Sequence, residues 1–194
     1  KFEINLASKI IYSFVWNDFC DWYIELSKIK LYSDNKEIQS AALTRALTIF
    51  EQLLKLVHPF MPFITEELWQ LISERKNGES ISTSSFPKFN SSYLNKDAEI
   101  EMEILKQIVT SIRNIRGEMN IPPSKMIKVL MKSEIIPNHS LNYIKKLTRA
   151  EEIIIDKNLT KPKAIASAVL KDCEIYIPLE GLIDLDTERQ RLQK

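Results

Sequence analysis

The sequence contains few of the residues that build phosphate-cradling loops, metal sites and disulfide frameworks. Its 194 residues include three glycines, two histidines and two cysteines. The three glycines, Gly78, Gly117 and Gly181, are far apart, which excludes a glycine-rich loop around a phosphate group. Cys20 and Cys173 have no closely spaced Cys or His partners, so we expect reduced thiols rather than zinc ligands or a disulfide.

Residue patterns typical of catalytic sites are also absent. His58 and His139 are far apart in the sequence and lie outside any HxxxH or HExxH pattern. Adjacent acidic residues, as at Glu66-Glu67, point away from each other on a helix and do not form a carboxylate pair. We therefore predict that this chain has no catalytic site, metal or cofactor of its own. It is either a binding module or a piece of a larger protein.

No stretch of the sequence approaches the roughly 18 uninterrupted apolar residues of a membrane span. Residues 1–8 do not resemble a signal peptide. Hydrophobic residues make up 44% of the chain and charged residues 27%, which is typical of soluble globular proteins. We predict a soluble, cytoplasmic protein that does not bind membranes, and we expect a monomer.

Positive charge is concentrated in the middle of the chain. Residues 106–149 contain nine Lys/Arg and two Asp/Glu, a net charge of +7, whereas residues 1–105 carry −4 and residues 150–194 carry −2. Such a local excess of cations is expected where a phosphate backbone binds. The alternative interpretation is a solvated face of lysines.

The first part of the sequence has the apolar spacing of long helices. Steps of three and four predict one helix over residues 2–31, a second around residues 42–56 and a fourth over residues 97–119. A third helix follows His58-Pro59, with Thr65 as its predicted N-cap. Short connections between long apolar stripes favour an antiparallel bundle.

The character of the sequence changes after Pro122-Pro123. Short strands are expected near residues 127–131 and 153–155, a helix near residues 141–147, and a hairpin from residues 164–170 and 173–179. The predicted fold is mainly α: an antiparallel helical bundle (1–121), a small α/β domain (122–183) and the start of a coiled-coil helix (184–194).

Four segments resemble the carboxy-terminal region of class I aminoacyl-tRNA synthetases of the valine, isoleucine and leucine group. They are residues 16–25 (WNDFCDWYIE), 58–69 (HPFMPFITEELW), 113–122 (RNIRGEMNIP) and 178–184 (PLEGLID). The last two resemble the valine members most, because the GLID segment leads into a charged, leucine-spaced helix like the root of their coiled-coil arm. The ATP-binding HIGH and KMSKS motifs of this family are missing.

The resemblance implies that the bundle, here without the family's first helix, binds the anticodon region of a valine tRNA. ATP and magnesium would then act in the catalytic domain of the same polypeptide, which also has an editing domain; both lie outside this sequence. One alternative is the same region of an isoleucine enzyme. An alternative of another class is a helical protein-interaction scaffold that uses the leucine spacing of residues 182–192.

Six side chains are our candidates for tRNA contacts. Two lie off the main apolar stripe of the first helix, one lies on the polar side of the second helix, and three belong to the basic middle region. They are Trp16, Asn17, Arg45, Arg113, Arg116 and Lys125. We predict that charge reversal at Arg113 and Arg116 weakens tRNA binding and leaves folding unchanged.

Overall fold

A computed structural model describes residues 3–133, 136 and 138–182, without the side chains of residues 138 and 139. The predicted start of a coiled coil at residues 184–194 lies outside the described residues. The chain divides into two compact units, Lys1–Tyr93 and Leu94–Lys194. Among the described residues, no helix has both the length and the apolar character needed to cross a bilayer.

The first unit begins with a single helical stretch, as the apolar periodicity predicted. It consists of α1 (Ile4–Ser13), a π-helical segment (Phe14–Ile24) and α2 (Glu25–Leu31). The backbone stays in the right-handed helical region at both junctions, so the helix widens in the middle without a break. The pattern of apolar residues gave no sign of this π-helical geometry, which occurs mostly as short insertions in α-helices.

Helix α3 (Lys36–Val57) runs antiparallel to that stretch. Its N-terminus is capped by the side chain of Asn35, which accepts hydrogen bonds from two backbone N–H groups of the first turn. The Gln39 amide donates to the Leu31 carbonyl at 2.8 Å, and the ring centroids of Phe19 and Phe50 are 6.0 Å apart. Contacts at two levels therefore fix the pairing of the helices.

Helix α4 (Pro62–Leu71) has Met61 as its N-cap and so begins four residues earlier than predicted; Thr65 is not its N-cap. Pro62 occupies the first helical position, where the missing N–H of proline costs no hydrogen bond. The hydroxyl of Thr65 instead donates to the Met61 carbonyl at 2.7 Å. Trp69 then lies in a buried cluster with Leu54 and Ile81.

A charged network joins α3 to the segment after α4. The Glu51 carboxylate accepts from the Trp69 indole at 3.0 Å and from Arg75 at 3.2 Å, and it pairs with Lys55 at 3.2 Å. Burial raises the pKa of Glu51, but the hydrogen bonds from Lys55 and Trp69 and the two positive charges outweigh it and hold the pKa below its usual value. The Arg75 guanidinium lies 3.6 Å above the Trp69 ring.

The second unit begins with helix α5 (Lys96–Glu118), capped by the side chain of Asn95. Its apolar spacing predicts a buried stripe of five residues, of which four are buried together with Val109, whereas Met119 is only partly covered. The predicted stripe is Leu105, Ile108, Ile112, Ile115 and Met119. The same buried face includes Arg116, which the sequence placed on the flank of the polar side. Helix α5 contacts α6 and β3 and groups with the residues that follow it. The domain boundaries proposed at residues 121 and 183 stay predictions.

The rest of the second unit is a four-stranded mixed sheet with one helix between its first two strands. The strands are β1 (Ile127–Lys132), β2 (Ala150–Ile155), β3 (Ile165–Val169) and β4 (Glu174–Pro178), in the order β2-β1-β4-β3. Strands β1 and β2 are parallel and are joined through α6 (Asn138–Thr148), whereas β3 and β4 form the predicted hairpin. The protein therefore has a mixed α+β fold.

Candidate nucleic-acid interface

A cleft of about 550 Å³ lies where the C-terminal ends of α5 and α6 meet in the second unit. Three of its lining residues are arginines, and none of the lining residues described is acidic. We call it the arginine cleft. Its lining residues are Arg113, Arg116, Gly117, Asn120, Ile121, Pro122, Pro123, Leu147, Thr148 and Arg149.

Arg116 holds the walls of the arginine cleft together. Its side chain is 8% exposed, and its guanidinium donates to the carbonyls of Thr148 at 3.1 Å, Pro122 at 2.7 Å and Lys125 at 2.9 Å. Burial lowers the pKa of Arg116 from its usual value, and the nearby charge of Arg149 lowers it further. Three carbonyls on two segments accept hydrogen bonds from this one side chain. Charge reversal at Arg116 should therefore destabilise the fold, contrary to the expectation from the sequence.

Arg113 and Arg149 are exposed and contact the cleft walls more lightly. Arg113 donates to the Leu147 carbonyl at 3.3 Å, and Arg149 donates to the Pro123 carbonyl at 3.0 Å. A guanidinium has five N–H donors, so the bond of Arg149 to Pro123 leaves N–H groups of that side chain for other partners. Arg149 is therefore able to meet a ligand while it remains anchored.

Two residues of the arginine cleft have left-handed backbone conformations. Asn120, after α5, has a φ of 49°, and Arg149, after α6, has a φ of 53°. Asparagine tolerates this region, and glycine favours it, but arginine rarely adopts it. Neither residue was among the predicted site residues, because no local pattern signals an arginine in the position where a helix usually ends in glycine.

Lys125 and two other cations of the basic middle region are engaged in intramolecular contacts. The Lys125 ammonium donates to the Leu182 carbonyl at 2.7 Å. Lys128 pairs with Glu152 at 2.7 Å and Lys132 pairs with Glu174 at 3.5 Å, so strand partners offset part of the +7 charge. The charges of Lys128 and Lys132 are thus partly neutralised by acidic residues of neighbouring strands.

Trp16 and Asn17 lie on the π-helical segment of the first unit. Trp16 is 57% exposed and stacks on the exposed ring of Tyr12, with centroids 6.4 Å apart and planes 7° from parallel. The Asn17 amide donates to the Ser13 hydroxyl at 3.0 Å. An exposed aromatic pair is the kind of surface on which an unpaired base stacks.

Arg45 is exposed on α3, as its position on the polar side predicted. Phe19 pairs with Phe50, so Trp16 and Arg45 lie at different levels of the antiparallel helices. At 1.5 Å per residue they are separated by roughly 12 Å along the axes. Within the first unit, the candidates are therefore spread along one helix pair, whereas Arg113 and Arg116 line a single cleft in the second unit.

His58 joins three segments of the first unit. Its Nδ1 is 2.7 Å from the Thr65 hydroxyl and its Nε2 is 3.0 Å from the Ser82 hydroxyl. Both ring nitrogens of His58 are therefore engaged by hydroxyl groups. The imidazole thus links the end of α3 to α4 and to the turn at Ile81–Thr83.

The two cysteines have different surroundings. Cys20 is exposed and Cys173 is buried in the second unit. Burial, assisted by the charge of Glu174, raises the pKa of the Cys173 thiol to about 11, which keeps it protonated and unreactive at neutral pH. No group of three or more metal-binding side chains occurs within the described part of the chain.

The family model for the anticodon-binding domain of tRNA ligases matches residues 1–131. The chain belongs to this family. The match covers α5, so Arg113, Arg116 and the loop with Lys125 lie within the anticodon-binding family region.

Similar proteins come from several bacteria. Over its full length the chain is 38% identical to a valine–tRNA ligase of Enterococcus faecalis, 37% identical to one of Syntrophotalea carbinolica and 35% identical to one of Geobacillus stearothermophilus. It spans 22% of the length of each of these relatives.

Proposed function

We propose that this chain is the tRNA-binding part of a valine–tRNA ligase, which binds the anticodon region and performs no chemistry itself. The match of residues 1–131 to the anticodon-binding family carries this proposal. The relatives are named valine–tRNA ligases, which favours valine over the isoleucine alternative. In the whole enzyme, valine, ATP and magnesium would react in domains of the same polypeptide that lie outside this sequence.

Two kinds of contact would act in this function. Cations of the second unit, foremost Arg113 and Arg149, would neutralise backbone phosphates and make the affinity salt-dependent. In the first unit, the exposed Trp16 would stack on a base, with Asn17 and Arg45 as further contacts on the same helix pair. Phosphate contacts position the RNA, and base contacts provide its identity.

The finer organisation belongs to the same proposal. Helices α1 to α4 would form an antiparallel bundle, residues 122–183 a separate α/β domain, and residues 184–194 the root of a coiled-coil arm. We further propose that the ligase is a monomer in the cytoplasm. The protein-interaction alternative depends on leucines beyond residue 182, which lie outside the described residues.

A binding titration tests this function. The 194-residue chain is titrated with valine tRNA and with the same tRNA carrying a different anticodon, at about 0.1 M salt. We expect the anticodon change to weaken binding about fivefold or more, since a lost base-edge contact costs on the order of 1–3 kcal/mol. Equal affinities would show that the chain does not read the anticodon, and no binding to either would contradict the proposed function.

A further inference from the structure

The arginine cleft keeps an arginine where glycine would fit the backbone better. Arg149 directly follows α6 with a φ of 53°, in the region that glycine adopts without steric strain. Strained residues of this kind persist where the side chain is needed, and they concentrate at ligand sites. Its side chain donates one hydrogen bond, to the carbonyl of the exposed Pro123 at 3.0 Å, where water could take its place, so this bond alone does not explain the strain.

Gly117 gives a second, independent indication. It lies in the last turn of α5 and lines the same cleft, although glycine destabilises a helix relative to alanine. A Cβ on Gly117 would meet no atom within 4 Å, so packing does not require a glycine at this position. The open space beside Gly117 is therefore room that a ligand can use.

The charges of the cleft indicate the kind of ligand. Arg116 and Arg149 are close enough for the Arg149 charge to lower the pKa of Arg116, after the larger effect of burial. Of the described residues that line the cleft, none is acidic and none is aromatic. An anion would relieve the repulsion between the guanidinium groups, whereas a base would find no aromatic face to stack on.

We propose that the arginine cleft binds one phosphodiester of the tRNA backbone, an inference that rests on the function proposed above. Arg149 donates two parallel hydrogen bonds to the phosphate, and the space beside Gly117 admits the adjoining ribose. Arg116 is a positioning residue, because its N–H groups hold the cleft walls. The volume of about 550 Å³ lies within the range of small-ligand sites, roughly 300–1,000 Å³.

Two variants separate this role from a structural one. Arg149→Gly removes the charge and the backbone strain together, so its melting temperature should equal or exceed that of the wild type. Gly117→Leu keeps every charge and fills the space beside the helix, where a Cβ meets no atom within 4 Å. A matched control is Lys171→Gln, which removes one exposed charge in the β3–β4 turn. The next residue of that turn, Asp172, accepts a hydrogen bond from Ser133, which follows the end of β1 away from the cleft.

The first measurement uses inorganic phosphate and requires no RNA. Amide resonances of Gly117, Asn120 and Arg149 are followed by NMR while phosphate replaces chloride at constant ionic strength. We expect these resonances to shift saturably with phosphate in the wild type and in Lys171→Gln. In Gly117→Leu and Arg149→Gly, the amides at the unchanged positions should no longer shift. Shifts that stay the same in both cleft variants would overturn the phosphate site.

The second measurement uses valine tRNA over a series of salt concentrations. We expect Arg149→Gly to bind about tenfold more weakly at 0.1 M salt, with the slope of log affinity against log salt reduced by about 1. Arg149→Lys should recover part of the affinity, because it restores the charge but not the two-pronged geometry. Wild-type affinity and slope in a folded Arg149→Gly would overturn the inference and leave the proposed function intact. Phosphate binding without tRNA binding by the wild type would overturn both the function and the tRNA part of the inference.

Discussion

Replacing Arg116 with methionine should lower the stability of the second unit, whereas the sequence suggested that a change at Arg116 leaves folding unaffected. The substitution keeps most of the side-chain volume and removes a guanidinium that donates to the carbonyls of Thr148, Pro122 and Lys125. Pro122 and Lys125 are exposed, so water can replace the lost donor there. Thr148 is 2% exposed, and its carbonyl would lose its charged donor in a buried place.

The expected cost follows from that difference. A buried carbonyl left without a donor costs about 1–3 kcal/mol, and the two exposed carbonyls add little. Removing a buried charge returns some stability, so we expect a loss of about 2 kcal/mol. For a unit of this size, the melting temperature should fall by roughly 10 °C.

The assay must report on the second unit, and tryptophan fluorescence does not. Trp16, Trp22 and Trp69 all lie in the first unit. Urea unfolding should instead be followed by amide hydrogen exchange of the buried strand β4, with Arg113→Met as the matched control. Arg113 is exposed and should lose less than about 0.5 kcal/mol. If the Arg116 variant is no less stable than this control, the anchoring role assigned to Arg116 is wrong.

Three further predictions concern other parts of the chain. The pKa of Glu51 is lowered in the folded state, so its contribution to stability is complete above its unfolded pKa of about 4.3 and is lost as the pH falls through the lower folded pKa. In acid titrations Glu51→Gln should flatten the pH dependence of stability below about pH 5, and an unchanged profile would exclude this role. With a pKa of about 11 and a buried position, Cys173 should react with a thiol reagent at pH 8 only as the protein unfolds, whereas the exposed Cys20 reacts at once; two equally fast thiols would contradict the buried placement. Trp16→Ala should change stability by less than about 0.5 kcal/mol but weaken tRNA binding by about 1–3 kcal/mol, with Trp16→Phe close to wild type; an alanine variant that binds normally would remove Trp16 from the interface.

Local patterns in the sequence were sufficient to predict most elements of the fold. The apolar stripe of α5 repeats over about four turns, so its helix could be assigned without tertiary information. The β3–β4 hairpin likewise follows from two apolar segments around Lys171-Asp172. By contrast, the parallel pairing of β1 with β2, the antiparallel pairing of β1 with β4 and the π-helical segment depend on tertiary packing, which no short stretch of sequence encodes.

The candidate site was predicted only in part for a similar reason. The apolar stripe that includes Ile112 and Ile115 predicted Arg116 beside the core and not in it. An arginine is also rarely buried without specific partners, so its burial was not expected. Those partners are backbone carbonyls, which carry no sequence signal and reach Arg116 through folding of residues 122–148. The left-handed conformation of Arg149 has no signal either, because the residue type argues against it.

The most direct test of the anticodon-binding account uses two fragments of the same valine tRNA. The 194-residue chain is titrated with the isolated anticodon stem-loop and with a hairpin of the acceptor stem, matched in charge and at the same salt concentration. We predict that the anticodon stem-loop binds and competes with whole tRNA, and that the acceptor hairpin competes at least tenfold more weakly. Equal competition by the two fragments, or preference for the acceptor hairpin, would contradict the account.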